Sequence, residues 1–352
     1  MKYKLTSFLA ALIIAIAGGF LFFLLQVPVP WLLGSMFAVL IACRFKSLSL
    51  YWPPFLRDTA LVVVGYTIGL YFTRSAVEKM ILNLPIMLAL TVLVICFAAI
   101  IAKVLSKLSG VDYPTMLTGS IPGGLSQMIL FAEETKGIDL TMVTFLQVSR
   151  LLMIVFFVPF IIFGPVLKQE HSNLVLIGNG NEYAAPETYL IFAIVCILSS
   201  MIGKRLRFPT PFLLGPILAA AILINAGMDG PHLPSLLMDA TQLMIGGYIG
   251  MLMKPERLKR KLFTFLLAFS SSFLLVSGSL VMSVFLSEQL DISIVTAFLS
   301  LAPGGMDQMG IIAHEVKADL SIVTGFQLFR LFFIFFAIPP LLRWFFRRKM
   351  KG

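Results

Sequence analysis

The sequence has few of the side chains that carry catalysis or bind metal ions. Among its 352 residues are three histidines and three cysteines. Cys43, Cys96 and Cys196 lie in or beside apolar segments without CxxC or CxxH spacing, which excludes a disulfide framework and a zinc site. HExxH, GxSxG and Walker motifs are also missing. We therefore predict no enzyme activity, no catalytic residue, no metal site and no cofactor.

Charged residues are also few, and most of the chain is apolar. Charged residues make up 12% of the chain and hydrophobic residues 59%, a composition far from that of a soluble domain. This composition predicts an all-α integral membrane protein, and the absence of strand-period alternation excludes a β-barrel. Five apolar runs are about long enough to cross a hydrocarbon core of roughly 30 Å as helices: residues 8–25, 84–102, 142–163, 263–286 and 322–342.

The net charge of +10 does not indicate a nucleic-acid partner. The basic residues fall in short clusters between apolar runs, as the positive-inside rule produces, and no soluble DNA-reading element is present. The lipid bilayer is the predicted partner instead. The first apolar run lacks a small-residue cleavage site, so we interpret it as a retained helix.

The second half of the chain restates the first about 180 residues later. VPVPWLLG at residues 27–34 matches FPTPFLLG at residues 208–215, and DLTMVTFLQVSR at residues 139–150 matches DLSIVTGFQLFR at residues 319–330. We predict a first membrane repeat at residues 1–167, a polar linker at 168–186 and a second membrane repeat at 187–352. Paired glycines in GxxxG spacing, Gly65 with Gly69 and Gly246 with Gly250, are interpreted as helix-packing positions.

Each repeat contains a Pro-Gly-Gly segment before its last helix, and its path decides the topology. If the segment crosses the membrane, each repeat has six spans and the lysines and arginines divide nearly equally between the two sides. If it re-enters and leaves on one side, each repeat has five spans and most of the 27 basic residues become cytoplasmic. We therefore predict two inverted repeats of five transmembrane helices, each with a re-entrant Pro-Gly-Gly hairpin, and both termini in the cytoplasm.

Arg150 and Arg330 are the strongest single signals in the sequence. Each follows an aspartate, Asp139 or Asp319, that caps the last helix of its repeat, so each lies about 16 Å along that helix. A guanidinium near mid-membrane costs at least roughly 2.5 kcal/mol unless it is compensated. Two interpretations stay open: the arginines bind a ligand, or they donate to carbonyl groups exposed where the hairpins break.

The polar residues around the arginines and the hairpin tips define a candidate site. Irregular backbone at membrane depth must line a wet cavity or be buried in protein, and paired broken helices indicate the binding site of a secondary transporter. Asp307 is the one acid at a hairpin tip, with two open interpretations: an ion-coupling residue or a helix N-cap. Glu133, Glu134, His314 and Glu315 are predicted to be interfacial, and the alternative for His314 beside Glu315 is a proton relay.

The repeated motifs, PGGLSQM and PGGMDQM with the two Asp-to-Arg stretches, resemble those of the AbrB-type membrane proteins of bacteria. Members of that family consist of two copies of one membrane module and have been labelled both as ammonia monooxygenases and as regulators of gene expression. The resemblance implies a bacterial inner-membrane location. The sequence supports neither an oxygenase, for want of a metal-ligand cluster, nor direct control of transcription.

The organisation is also similar, at fold level, to sodium/glutamate and citrate symporters, whose inverted five-helix halves carry Gly-rich re-entrant hairpins. That similarity implies a secondary transporter, and fold-level relatives suggest a homodimer. The predicted solute is small and anionic, coupled to protons or sodium; the alternative is a membrane-embedded ligand sensor that regulates gene expression indirectly. The predicted solute-binding residues are Pro122, Gly123, Gly124, Ser126, Gln127, Gln147, Arg150, Pro303, Gly304, Gly305, Gln308, Gln327 and Arg330.

Overall fold

A computed structural model describes residues 2–45, 49–135, 137–164, 186–208, 210–252 and 261–349. The described residues form helices and connecting turns, with no strand among them. The predicted linker at residues 168–186 lies outside the described residues, except for Pro186. In chain order the helices are α1 (Lys2–Leu24), α2 (Pro30–Ala42), α3 (Pro54–Gly69), α4 (Arg74–Leu82), α5 (Leu84–Ser109), α6 (Tyr113–Ser120), α7 (Leu125–Glu134), α8 (Leu140–Phe163), α9 (Pro186–Arg205), α10 (Pro211–Asn225), α11 (Ser235–Leu252), α12 (Lys261–Leu290), α13 (Ile294–Leu301), α14 (Met306–Glu315) and α15 (Leu320–Lys349).

Six of the described helices are long and apolar enough to cross a membrane: α1, α5, α8, α9, α12 and α15. A seventh span results if α3 and α4, which meet at an angle of 87°, are counted together. Helices α2 and α10 are apolar but shorter, with 13 and 15 residues. The all-α, multi-pass membrane class is therefore confirmed, whereas ten crossings stay a prediction.

The duplication seen in the sequence extends to unusual backbone conformations. Val29 and Thr210 both have φ of 48°, and each stands directly before a proline that begins a helix, α2 or α10. Proline suits the first position of a helix because its missing N–H has no partner there in any case. Positive φ also recurs at matching positions further along, at Gly110 and Asp291. The two halves therefore share local backbone geometry as well as residue types.

The chain divides into two compact units, and each unit takes pieces from both halves of the sequence. Unit 1 comprises residues 1–81, 163–253 and 310–321, and unit 2 comprises residues 82–162, 254–309 and 322–352. The boundary in the second half falls within α14, between Met309 and Gly310. By contrast, α7 lies entirely in unit 2.

Within unit 1, helices of one half pack against helices of the other through glycines. A β-carbon on Gly65 or Gly69 of α3 would lie 2.5 or 2.7 Å from a carbonyl oxygen of α10. At the matching positions of α11, Gly246 and Gly250 approach carbonyl oxygens of α2 in the same way, at 2.3 and 2.6 Å. Any larger side chain would force these helices apart. The interpretation of both GxxxG pairs as packing positions is confirmed.

Unit 2 contains the two Pro-Gly-Gly segments and the last helix of each half. The helix before each segment has a side-chain cap at the same place: Asp112 accepts a hydrogen bond from the backbone N–H of Thr115, and Ser293 accepts one from that of Thr296. Asp139 caps α8 by accepting from the N–H groups of Thr141 and Met142 at 2.9 and 3.1 Å. This cap confirms the predicted start of the helix that carries Arg150.

Candidate functional site

The first Pro-Gly-Gly segment interrupts a helix inside unit 2. Helix α6 ends at Ser120 and α7 begins at Leu125, and the backbone between them is extended at Ile121, with φ −62° and ψ 126°. An extended residue ends the helical hydrogen-bond ladder, so the last carbonyl groups of α6 need other donors. We call residues 121–124 the first break.

The second segment interrupts a helix in the same manner. Helix α13 ends at Leu301, Ala302 is extended with φ −51° and ψ 131°, and α14 begins at Met306. We call residues 302–305 the second break. Both breaks contain their predicted residues, Pro122 with Gly123 and Pro303 with Gly304.

Arg150 supplies donors to the carbonyl groups at the first break. It projects from α8 and is 6% exposed. Its Nη1 donates to the carbonyl oxygens of Ile121, Ser120 and Gly119 at 2.8, 3.2 and 3.4 Å. These bonds neutralise the negative end of α6 with a positive charge, which is the favourable arrangement at a helix C-terminus.

Arg330 repeats this arrangement at the second break. It projects from α15, is 5% exposed, and donates to the carbonyl oxygens of Leu301, Ala302 and Gly304 at 3.1, 2.9 and 3.1 Å. Both arginines therefore make the contacts expected of the second interpretation, in which they donate to carbonyl groups exposed at the breaks. A planar guanidinium suits this task because its fixed donors can reach several carbonyl groups at once.

A glutamine one turn before each arginine donates to carbonyl groups at the same break. We call each of these arginine–glutamine pairs a clamp. Gln147 Nε2 donates to the carbonyl oxygens of Thr118 and Ile121 at 2.9 and 3.2 Å, and its Oε1 accepts from Arg150 Nη2 at 2.5 Å. Gln327 donates in the same way to three carbonyl groups of α13 and the second break, and it accepts from Arg330. Each glutamine has a satisfied oxygen and a satisfied nitrogen, so it fixes the orientation of its arginine.

Each break also contacts the last helix of the other half. A β-carbon on Gly123 would lie 2.9 Å from Cγ2 of Ile334 on α15, and one on Gly304 would lie 3.1 Å from Cγ2 of Ile154 on α8. The two isoleucines stand one turn after the clamping arginines and are fully buried. The two breaks and the two arginine-bearing helices therefore form one centre within unit 2.

Two buried side-chain oxygens at this centre lack partners. Oε1 of Gln127 and Oε1 of Gln308 make no hydrogen bond within the part of the chain that the structure describes. Gln308 is 3% exposed, and its Nε2 donates to Asp307 Oδ2 at 2.9 Å. Buried acceptors without donors are uncommon in folded proteins, because each costs about 1–3 kcal/mol. Together they indicate a place for a group that brings donors or positive charge.

The first turns of the two restarting helices differ in charge. Helix α14 carries Asp307 in its first turn, whereas α7 has no acid there and no side-chain cap at Gly124. The side chain of Ser126, which matches Asp307 in sequence, lies outside the described residues. Gly124 and Gly305 face the glutamines: a β-carbon there would lie 3.3 Å from Gln127 Oε1 and 2.2 Å from Gln308 Oε1.

Two features of this centre, and one contact at the far end of α7, were not predicted from the sequence. Ile154 and Ile334 were missed, although both stand four residues after an arginine in matching motifs. Ser149, 2% exposed, has a hydroxyl without a partner among the described residues. The contact at the far end of α7 is the ion pair of Glu134 with Arg343, whose Nη2 donates to Glu134 Oε2 at 2.5 Å.

Comparison with known proteins gives consistent matches over nearly the whole chain. Residues 31–346 match the family model described as "Transition state regulatory protein AbrB". A Bacillus subtilis (strain 168) protein named "Uncharacterized protein YhjN" is 25% identical over 94% of this chain and 91% of its own length. An Escherichia coli (strain K12) protein named "Putative regulator AbrB" is 27% identical over 95% of this chain and 94% of its own length.

Proposed function

The chain belongs to the AbrB family, and from this premise we propose that it is a secondary transporter of a small anionic solute coupled to protons or sodium. In this proposal the halves are inverted, five helices of each cross the membrane, and the two breaks are the tips of re-entrant hairpins from opposite sides. Both termini are cytoplasmic. The solute binds at the centre formed by the breaks.

The observation that carries the proposal is the pair of clamped breaks with unpartnered buried glutamine oxygens. Interrupted helices are costly in a membrane unless the freed backbone groups are paired or face a cavity, and paired interruptions are typical of secondary transporters. The arginine–glutamine clamps satisfy the carbonyl ends of α6 and α13. They leave the starts of α7 and α14, with Gln127 and Gln308, to face a ligand.

The charges at the centre favour an anion at the first break. The two clamping arginines bring two positive charges, and Asp307 is the acid among the predicted site residues. The uncapped start of α7 adds the partial positive charge of a helix N-terminus, and no acid in its first turn opposes that charge. We therefore assign the anionic group of the solute to the free backbone N–H groups at the start of α7, and a hydrogen-bond donor of the same solute, such as a hydroxyl group, to Gln127 Oε1.

The second break is suited to the coupled cation. Asp307 supplies a carboxylate and Gln308 Oε1 a buried acceptor on the same turn of α14. Hard cations such as sodium, and protons, take oxygen ligands of this kind. The break that carries an acid therefore binds the cation, and the break without one binds the anion.

The proposal is tested by a thermal-shift screen of carboxylate and phosphate metabolites with the purified protein, because a ligand stabilises the state that binds it. A stabilising compound is then assayed for uptake into proteoliposomes, with and without sodium or a pH gradient. We expect Gln127→Leu to remove the stabilisation by the compound. Without the compound, Gln127→Leu should melt at or above the wild-type temperature, because the substitution removes a buried acceptor that has no donor.

Ser272→Ala is the matched control for this experiment. Ser272 is 1% exposed in the same unit, and its hydroxyl donates to the Ala268 carbonyl of its own helix at 2.8 Å. Its ligand response should equal that of the wild type. Uptake that is unchanged in both Gln127→Leu and Gln308→Leu would show that the solute does not bind at the breaks.

A ligand sensor is the second candidate, and the observation that favours it is the name of the Escherichia coli relative, which calls that protein a regulator. A sensor would bind its ligand at the same centre without moving it across the membrane. It would signal through the basic run at residues 254–261, of which the structure describes only the start of α12, or through the basic tail at residues 343–351. Binding without uptake, together with co-purification of a cytoplasmic protein, would favour this function.

A further inference from the structure

Glu315, the last residue of α14, has a neutral partner. Its Oε2 accepts a hydrogen bond from Nε2 of Gln242 on α11, at 3.3 Å. Gln242 is 2% exposed, and both residues belong to unit 1. The sequence predicted an interfacial position for Glu315, with a proton relay to His314 as the alternative, and did not single out Gln242.

The Gln242 amide presents an unused acceptor beside this carboxylate. Its Oε1 is buried and makes no hydrogen bond within the described ranges. Because Oε1 and Nε2 are bonded to the same carbon, Oε1 lies close to the Glu315 carboxyl group. A half-turn of the amide exchanges the two atoms, and a protonated Glu315 then has an acceptor for its O–H. The contact therefore accommodates a proton on Glu315.

Helix α11, which carries Gln242, also carries an acid near Glu315. Asp239 stands three residues before Gln242, on the same face of α11. The Glu315 side chain reaches the surface of unit 1. The partial burial of its carboxyl group and the Asp239 charge raise its pKa, and the Gln242 hydrogen bond opposes them. Burial and His232 lower the pKa of the adjacent His314, which favours its neutral form. The other titratable or charged groups on α3, on α11 and in the segments that follow α3 and α14 are Arg57, Asp58, Tyr66, Tyr71, Tyr248, Lys317 and Asp319.

The matching residue of the first half has a different partner. Glu134 ends α7 as Glu315 ends α14, but it forms an ion pair with Arg343 at 2.5 Å. Glu315 takes part in neither of the two ion pairs that the described residues form. Across the same residues, no group of three or more His, Cys, Asp or Glu side chains could hold a metal ion. A proton, which needs only one carboxylate and one acceptor, is therefore the ligand that fits.

We propose that Glu315, in contact with Gln242 and beside Asp239, is a proton-binding site of this protein. The proton adds to a carboxylate oxygen of Glu315, and the resulting O–H donates to Oε1 of the rotated Gln242 amide. Proton binding itself does not depend on transport. The assignment of this proton as the coupled ion rests on the proposed function.

Infrared difference spectroscopy tests the site directly, with the full chain in lipid nanodiscs and glutamate ¹³C-labelled at the side-chain carboxyl. Titration of the wild type should show a protonated-carboxyl band that is lost at a pH above the ordinary glutamate pKa of about 4.3. Glu315→Gln should abolish this band. Asp239→Asn should move its midpoint to lower pH, because it removes a neighbouring negative charge.

Glu134→Gln is the matched control and should leave the band unchanged, since Glu134 ends the equivalent helix but is paired with an arginine. A band that persists in Glu315→Gln would overturn the assignment, as would a midpoint near the ordinary glutamate value. If Glu315→Gln does not fold, Gln242→Leu serves instead, and an unshifted midpoint in that variant would also overturn it. The measurement needs no solute, so a failed ligand screen leaves this test intact.

Discussion

The two breaks in unit 2 share one clamp and differ in the turn that follows it. At both, an arginine and a glutamine from the last helix of the same half bind the carbonyl groups of the preceding helix. After the break, α14 begins with an acid in its first turn, and α7 does not. The duplicated part satisfies backbone groups that any broken helix leaves free. In the proposed function, the first turn after each break, which differs in charge, determines whether that break binds the anion or the cation.

The far ends of the same two helices differ as well. Helix α7 ends in an ion pair between Glu134 and Arg343, whereas α14 ends in the contact of Glu315 with a neutral amide. Both acids of α14, Asp307 and Glu315, thus bond to glutamine side chains. In the proposed function, the second half therefore binds the proton or cation and the first half binds the anion.

Removal of a clamping arginine should have the largest effect and tests whether the clamps are equivalent. Arg150→Ala leaves the carbonyl groups of Gly119 and Ser120 without this donor, and Arg330→Ala does the same at Leu301 and Gly304. At about 1–3 kcal/mol for each unsatisfied carbonyl, each variant should lose roughly 2–6 kcal/mol of unfolding free energy. Denaturant unfolding in micelles measures the loss.

Arg74→Ala is the control for that pair, because the Arg74 side chain is 89% exposed and its ion pair with Glu78 lies within one helix. It should cost no more than about 0.5 kcal/mol. If Arg150→Ala and Arg330→Ala both unfold like this control, the clamps are not structural and the arginines are free to bind the solute.

Neutralisation of Asp307 should have the next largest effect and tests the difference between the breaks. Sodium or a lower pH should stabilise the wild type, by about 2.7 kcal/mol at a cation concentration 100 times Kd. Asp307→Asn should abolish this response. Ser126→Asp, which gives the first break the acid of the second, should add a cation response. Thermal melting across sodium concentration and pH measures both variants.

An Asp307 that only caps α14 gives a different result. Asp307→Asn would then lose about 0.3–1 kcal/mol from the helix start, to the same extent with and without sodium. Ser126→Asp would gain a similar amount at α7 and show no cation response. That pattern would remove the ion-coupling role from Asp307.

Substitution of the break glycines should cost less and should differ between the halves. Gly123→Ala brings a β-carbon to 2.9 Å from the branched Cγ2 of Ile334, and we expect a loss of about 1–3 kcal/mol. At Gly304 the nearest atom is Cε of Met309, at 2.8 Å. This methyl group is the end of a flexible chain and can move, so Gly304→Ala should cost less.

A double-mutant cycle isolates this contact. Ile334→Ala alone opens a cavity, at roughly 2–5 kcal/mol. In the Gly123→Ala background the same change also relieves a clash, so its cost should be smaller. Additive costs would show that the first break does not pack against α15 as described.

Signals within one stretch of the chain predicted much of the fold and part of the site. Helix breaks at Pro-Gly-Gly, caps at Asp139 and packing at GxxxG depend on a few adjacent residues and their spacing, and the structure confirms these three. The sequence left the role of the arginines open, because the contacts of Arg150 and Arg330 depend on which groups the fold brings within 3.5 Å. The orphan oxygens of Gln127, Gln308 and Gln242 could not be predicted, since an absent partner is visible only once every neighbour is placed.

The smallest effect is expected at the Glu134–Arg343 pair, which sets the scale for the comparison with Glu315. Its side chains are 49% and 54% exposed, so water and salt screen the attraction. Arg343→Ala should cost about 0.2–1 kcal/mol, and the loss should shrink as salt is raised. A loss above 2 kcal/mol that is insensitive to salt would mean that the end of α7 is fixed by a buried charge.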